Sequence, residues 1–235
     1  MLYNSKKKLP GSSLVGEVVK HLFPIQCFEC SKNGRNLCCN CLKRTLAGKS
    51  FCLVCKKSNF LGNVCSSCRS RQSPDRLVIG FAYEGAVKKM IGIAKYDDYF
   101  TCLDELSEEL AIRLKLFLKG DNFVVCPVPL SPRRLRHRGF NQADIIARIL
   151  SQELSLEHQN LLGRIDHEFS QVQMQSKSAR LRNVKGVFYL LSRSAACENI
   201  ILVDDVTTTG ATLLEASKIL RKICKGKIIC AVLAH

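Results

Sequence analysis

Two rhythms of apolar residues alternate along the chain from about residue 76 onward. Short unbroken apolar runs occur in "RLVIGF" from Arg76, "NFVVCPVPL" from Asn122, "IILV" from Ile200 and "KIICAVLAH" from Lys227. Their length and β-branched content suit strands buried on both faces, as in a parallel sheet covered by helices. The second run should stop at Pro127 and Pro129, because proline cannot continue a ladder. Between the runs the period changes to that of a helix with one buried face. "AVKKMIGIAKY" is the first such segment, and Leu103, Leu106, Leu110, Leu114 and Phe117 mark the core face of a second. Phe140 to Leu154 is a third, with Ile145, Ile146, Ile149 and Leu154 inward. The last carries Leu213, Leu214, Ala216, Ile219, Leu220 and Ile223. Strands alternating with helices predict an α/β fold built on a parallel sheet.

The segment before residue 76 has a different composition. Of 14 cysteines in 235 residues, nine lie between Cys27 and Cys68. Eight form Cys-x-x-Cys pairs: Cys27/Cys30, Cys38/Cys41, Cys52/Cys55 and Cys65/Cys68, with Cys39 left over. Two thiolates on such a tight turn grip one side of a tetrahedral zinc ion, and a second turn completes the site. A disulfide framework is the blander alternative, but it does not suit a cytoplasmic chain. Shorter loops favour Cys27, Cys30, Cys38 and Cys41 on one ion and Cys52, Cys55, Cys65 and Cys68 on another. A crossed arrangement satisfies the spacing as well. Such closed sites are structural, since no coordination position is left for chemistry. Cys102, Cys126, Cys197, Cys224 and Cys230 sit singly among apolar residues and read as core.

The expected organisation is therefore a basic leader (1–24), a zinc-binding module (25–70), a linker "SRQSPD" (70–75) separating two cores, and the α/β domain (76–235). The leader starts like a signal peptide, yet Glu17, Lys20 and His21 interrupt any apolar stretch. No apolar run approaches the roughly 18 residues of a membrane span. A cytoplasmic location is the expectation.

Charge adds a partner class. The formal net charge is +16, and two zinc–tetrathiolate sites would trim it only slightly. Arg133, Arg134, Arg136 and Arg138 fall in "SPRRLRHRGFNQ", and Lys177, Arg180, Arg182 and Lys185 fall in a second stretch without an acid. A solvated basic face explains any one of them. Two clusters beside a candidate phosphate turn favour an anionic ligand: phosphate, nucleotide or nucleic acid.

That turn is "VDDVTTTGAT". In an open parallel sheet, ligands bind beyond the carboxyl ends of the strands. There the free amides and dipole of the following helix favour an anion. Thr207, Thr208, Thr209 and Thr212 offer hydroxyl donors, and Gly210 would let the backbone approach a phosphate closely. Asp204 and Asp205 would repel phosphate if aimed at it, so a ribose diol one phosphate away suits them better. A simply capped helix needs only one such side chain.

"ILVDDVTTTGAT" resembles the phosphoribosyl-pyrophosphate (PRPP) motif of type I phosphoribosyltransferases. With "CPVPLSPRRLRHRGFNQA", "ARLRNVKGVF" and the cysteine pairs, residues 22–235 are similar to the ComF family, also called GntX-type competence proteins. The resemblance implies a type I phosphoribosyltransferase-like sheet with a zinc-ribbon-like module. It implies that Asp204 and Asp205 hold the ribose hydroxyls, while the loop from Thr207 through Thr208, Thr209, Gly210, Ala211 and Thr212 holds the 5′-phosphate. Thr207 stands where the family more often has an aliphatic residue. Arg133 and Arg134 match the turn that binds pyrophosphate with magnesium, and Lys95–Tyr96 match a lysine–aromatic pair near the site. No general base stands out, which fits displacement of pyrophosphate driven by leaving-group stabilisation.

Two functions follow. One is a part in natural transformation, with single-stranded DNA held by Arg136, Arg138, Lys177, Arg180 and Arg182 and handed on by a DNA-uptake helicase. The other is phosphoribosyl transfer to a base in salvage; Met1–Leu2 offers no nucleophilic cysteine of the amidotransferase kind. The sequence stops at His235, directly after the last apolar strand. A cover over any acceptor is therefore expected from upstream, where the cysteine module is the sizeable element; an independent tether for DNA or a partner is the blander alternative for that module.

Overall fold

The computed structural model describes residues 25–46, 50–96, 101–118, 120–166, 185–191 and 197–235. The chain order in these segments begins with helix α1 (Cys39–Thr45), followed by strand β1 (Arg76–Phe81), α2 (Gly85–Tyr96), α3 (Thr101–Lys115) and β2 (Phe123–Pro127). Next come α4 (Pro132–Arg138), α5 (Gln142–Leu154), β3 (Glu157–His158), β4 (Leu162–Arg164) and β5 (Phe188–Leu190). The chain ends with β6 (Asn199–Val206), α6 (Ala211–Leu220) and β7 (Ile228–Ala234).

Five strands form one sheet in the order β1-β7-β6-β2-β3, with every neighbouring pair parallel. Parallel pairing follows from the helical crossovers, and it places the carboxyl ends of β1, β2, β6 and β7 along one edge. Because side chains alternate between faces, one strand feeds two cores. Ile201 and Val203 of β6, with Ile229, Ala231 and Leu233 of β7, lie in one cluster with α2, α3 and α5. Ile200 and Leu202, with Ile228, Cys230 and Val232, lie in the other with α6, β4 and β5. The leucines at 103, 106, 110 and 114 are fully buried, as their spacing predicts. The five later cysteines are buried too.

Two boundaries differ from expectation. Helix α5 starts at Gln142 because Asn141 caps it, its side chain accepting from Ala143 N at 3.2 Å. Strand β6 runs on through Asp204, Asp205 and Val206, since pairing with β7 continues to Val206–Ala234. The antiparallel pair β4–β5 and helix α4 were not anticipated.

The cysteine module does not stand apart. Cys27, Leu37 and Cys41 belong to the α2–α3–α5 core, whereas Phe51 and Leu53 belong to the α6 core on the opposite face. The module thus straddles the sheet at its β1 edge. It covers that edge through isolated bridges Leu46–Phe81 and Asn63–Arg76 and a bond from Val64 N to Asp75 O at 2.9 Å. An otherwise open strand edge is closed in this way. The expected linker is pinned as well. Asp75 pairs with Arg221 and accepts from Ile228 N at 2.8 Å, and Ser73 O accepts from Arg221 Nε at 3.0 Å. The expectation that residues 70–75 separate two independent cores is corrected by these contacts.

Candidate functional site

Strand β6 carries its apolar run to Val203 and then presents two carboxylates at the sheet's carboxyl edge. Each acid bonds to the next backbone amide: Asp204 Oδ1 accepts from Asp205 N at 2.9 Å, and Asp205 Oδ1 accepts from Val206 N at 2.7 Å. Burial, and then the adjacent Asp205 carboxylate, push the Asp204 carboxyl well above the usual range, with Arg164 pulling the other way. A ligand that brings a cation or hydroxyl donors to this pair would find acceptors already grouped there.

The loop beyond is anchored at its start. Thr207 is only 5 % exposed, its N–H donates to Ala234 O at 3.1 Å, and its carbonyl lies 3.0 Å from His235 Nδ1. Thr208 is exposed and Thr209 half-buried, its hydroxyl accepting from Ala211 N at 3.4 Å. Gly210 caps α6 with φ 77° and provides no side-chain cap, and no acid occupies the helix's first turn. The amino end of α6 is therefore an electropositive terminus without a built-in anion.

Gly210 has a second reason to be glycine. A methyl there would lie 2.5 Å from Leu53 Cδ1 and 2.8 Å from Lys56 Nζ, so the cysteine module abuts the loop. Phe51 also packs on the His235 ring, with centroids 4.5 Å apart. The upstream cover expected over the site is thus seated against the 207–210 loop and the end of β7.

The arginines of 133–138 stand on α4, not in an open turn. Ser131 caps this helix by accepting from Arg134 N at 3.4 Å, Pro132 starts it, and Gly139 at φ 77° ends it. The Ser-Pro start and glycine stop were visible in the sequence. Arg133, Arg134 and Arg136 are exposed, while Arg138 bonds Gln142 Oε1 at 3.3 Å. The stretch free of acids in sequence acquires one in space: Asp166 accepts from Arg133 N at 2.9 Å and lies 3.9 Å from Arg136.

Arg164, at the end of β4, is a residue that the sequence reading missed. Its guanidinium lies 5.3 Å from the Phe188 ring, and its buried Nε has no hydrogen-bond partner among the described residues. Burial and then Arg134 lower its pKa, while Asp204 and Asp166 raise it. The β4 end, α4 and the acid pair thus share one electrostatic neighbourhood. No local pattern in "LLGRID" distinguishes this arginine, because only the β4–β5 pairing places it there. Lys95 and Tyr96 close α2, and nothing further is described of their side chains. Lys177, Arg180 and Arg182 lie outside the described residues.

The cysteines group as Cys27, Cys30, Cys38 and Cys41, and as Cys52, Cys55, Cys65 and Cys68, with all four sulfurs of each group within 4.8 Å of one another. This is the sequential arrangement. The Cys30–Cys38 and Cys55–Cys65 sulfurs are each 3.7 Å apart. A disulfide needs about 2.05 Å, whereas Zn–S bonds of about 2.3 Å set a tetrahedral edge near 3.8 Å. The donor set therefore fits zinc, which would crosslink each knot and leave no open position. Donors favour thiolate at one cysteine of each knot: Cys38 N to Cys27 Sγ at 3.4 Å, and Ser67 Oγ beside Cys65 Sγ at 3.4 Å. Burial pushes Cys41, and the Cys65 sulfur pushes Cys68, up to about 12. Burial raises Cys27, but amide donors led by that of Cys38 outweigh it and bring the thiol to about 6. The Ser67 hydroxyl and then Cys68 bring Cys65 to about 6.

The fold and site define an α/β protein with an acid–threonine loop at the carboxyl edge of a parallel sheet and two four-cysteine knots beside it. No protein-family model matches the chain. It is 29% identical over 218 residues to competence protein F of Haemophilus influenzae, covering 86% of this chain and 93% of that one. It is 28% identical over 186 residues to competence protein ComFC of Bacillus subtilis, covering 75% and 73%. DNA utilization protein YhgH of Escherichia coli matches at 28% over 191 residues, covering 78% and 83%. These similarities, each over most of the chain, support the resemblance to the ComF family of competence proteins. Among the described residues, no helix is long and apolar enough to cross a membrane.

Proposed function

We propose that this protein binds PRPP with magnesium and acts in DNA uptake, handling incoming single-stranded DNA in the cytoplasm. The observation that carries the ligand is the delivery of Asp204 and Asp205 by β6 to the sheet edge, directly before the Gly210-capped α6. In this reading the acids accept from the ribose hydroxyls, and the amides and hydroxyls of Thr208, Thr209 and Thr212 hold the 5′-phosphate. Thr207 anchors the loop and is not free to bind, because its side chain is buried and its N–H and carbonyl are already bonded to Ala234 and His235. Arg133 and Arg134 would hold the pyrophosphate, and magnesium would offset its charge. The DNA role rests on the relatives named for competence and DNA utilization and on the exposed arginines of α4. A DNA-uptake helicase is the partner this role calls for.

Turnover is a second reading, supported by one observation. Arg164 lies within electrostatic reach of both Arg134 and Asp204, where positive charge would stabilise a departing pyrophosphate. The protein would then transfer phosphoribose to a base, and pyrophosphate release on screening bases would reveal it.

The test of ligand binding is calorimetry with PRPP and magnesium on wild type and on Asp204→Asn/Asp205→Asn. Binding is expected in the first and absent in the folded second. Equal affinity in both would sink the assignment.

A further inference from the structure

The first and third Cys-x-x-Cys turns are built to one plan. Cys27 N donates to Lys32 O and Cys52 N to Lys57 O, both at 2.9 Å. Ser31 N returns to Cys27 O at 2.8 Å, and Lys56 N returns to Cys52 O at 2.9 Å. The residue after the second cysteine is left-handed in each, Ser31 at φ 60° and Lys56 at φ 64°. That conformation disfavours any residue with a Cβ, serine and lysine alike, so backbone strain does not choose between them. One turn has serine there; the other has lysine.

The two turns face different neighbours. The first meets the amino end of α2, where Glu29 Oε2 accepts from Ala86 N at 2.9 Å. There a carboxylate satisfies a helix amino terminus, as the helix dipole favours. The turn containing Lys56 meets the amino end of α6, and it brings a cation. The Lys56 ammonium lies 4.9 Å over the Phe51 ring and 2.8 Å from where a Cβ on Gly210 would stand. A cation beside the positive end of a helix is repelled unless an anion joins them. The first turn of α6 holds no acid, and among the described residues Lys56 makes no ion pair with a carboxylate. Burial disfavours its charge, and the sulfurs of Cys52 and Cys55 attract it. That attraction explains a lysine near the knot but not its position against Gly210.

The geometry points to Lys56 as a phosphate-binding residue of the 207–212 loop, contributed by the second four-cysteine knot. A phosphate held by the free amides of α6 would take the ammonium on its flank and cancel the repulsion. This inference rests on the PRPP reading and adds to it. The ligand site is then composite, with the module supplying a contact to the phosphate in addition to a wall.

Ribose 5-phosphate isolates the subsite, because it carries the loop-bound phosphate and no pyrophosphate. Calorimetry with ribose 5-phosphate and with PRPP–magnesium is to be run on full-length wild type, Lys56→Ser and Lys56→Arg, with zinc content and melting temperature measured on each. Lys56→Ser, which copies the Ser31 turn, is expected to weaken both ligands about tenfold, the scale of one charge-assisted contact at a partly exposed site. Lys56→Arg is expected to retain most of the affinity, and both variants to keep wild-type zinc content. Wild-type affinity in Lys56→Ser overturns the inference. So does loss of zinc from Lys56→Ser, which would assign the lysine to the sulfur cluster. Failure of the PRPP reading looks different: wild type itself would bind neither ligand.

Discussion

At Gly210 two demands fall on one residue. Its φ of 77° disfavours a side chain, and its Cβ position is already occupied by Leu53 and Lys56. Gly210→Ala should therefore cost about 2 kcal/mol or more in denaturant unfolding, combining left-handed strain with overpacking. A destabilisation of only a few tenths would mean that the knot yields easily. Asp204 makes the opposite prediction. Its folded pKa is raised by burial and by Asp205, so the folded chain holds a proton that the unfolded chain releases. Stability then falls as pH climbs from the ordinary aspartate range, about 4, through the raised value. Asp204→Asn removes that burden. It should melt above wild type at neutral pH, with the gap closing near pH 4, while PRPP binding is abolished. A lower melting temperature at neutral pH would show that the charge itself supports the fold.

The four-cysteine knots act as elements through what they touch. Metal analysis should give about two zinc ions per chain, as the two sulfur groups allow. Phe51 and Leu53 flank Cys52 and lie in the α6 core, while Cys27 and Cys41 lie in the α2–α3–α5 core. Cys52→Ser should therefore lower the melting temperature of the whole chain in one transition, because the metal's folding energy feeds a shared core. Two transitions, with that of the sheet unmoved, would restore the picture of an independent module.

On the scale of the whole molecule, the +16 charge predicts single-stranded DNA binding that weakens steeply between about 50 and 200 mM salt. Arg136 is 75 % exposed and only loosely paired with Asp166 at 3.9 Å, so it is free to meet phosphate. Arg136→Ala with Arg138→Ala should flatten the salt slope by roughly one unit for each DNA phosphate that an arginine no longer neutralises. An unaltered, salt-insensitive affinity would confine the arginines to folding or to PRPP.

The sequence by itself determined the chemistry that depends on near neighbours. Four Cys-x-x-Cys pairs specify sulfur knots because both ligands sit on one tight turn. The run Ile200–Val203 followed by two acids, threonines and glycine specifies a strand, a loop and a helix start within one short stretch. The leucines at 103, 106, 110 and 114 declare a buried face through their period alone. Tertiary structure decided everything that rests on residues far apart in the chain. It chose sequential over crossed grouping of the cysteines, and it carried β6 through its acids because β7 supplied partners up to Ala234. Asp166 reached the arginine helix, and Arg164 came within electrostatic reach of Asp204, through pairing of two strands that are short and separated in sequence. Above all, it split the cysteine module between the two faces of the sheet. A strand buried on both sides needs cover on both, and the apolar residues of each knot are drawn to whichever core lies beneath them. That packing brings Lys56 to Gly210, a meeting that no local spacing could announce.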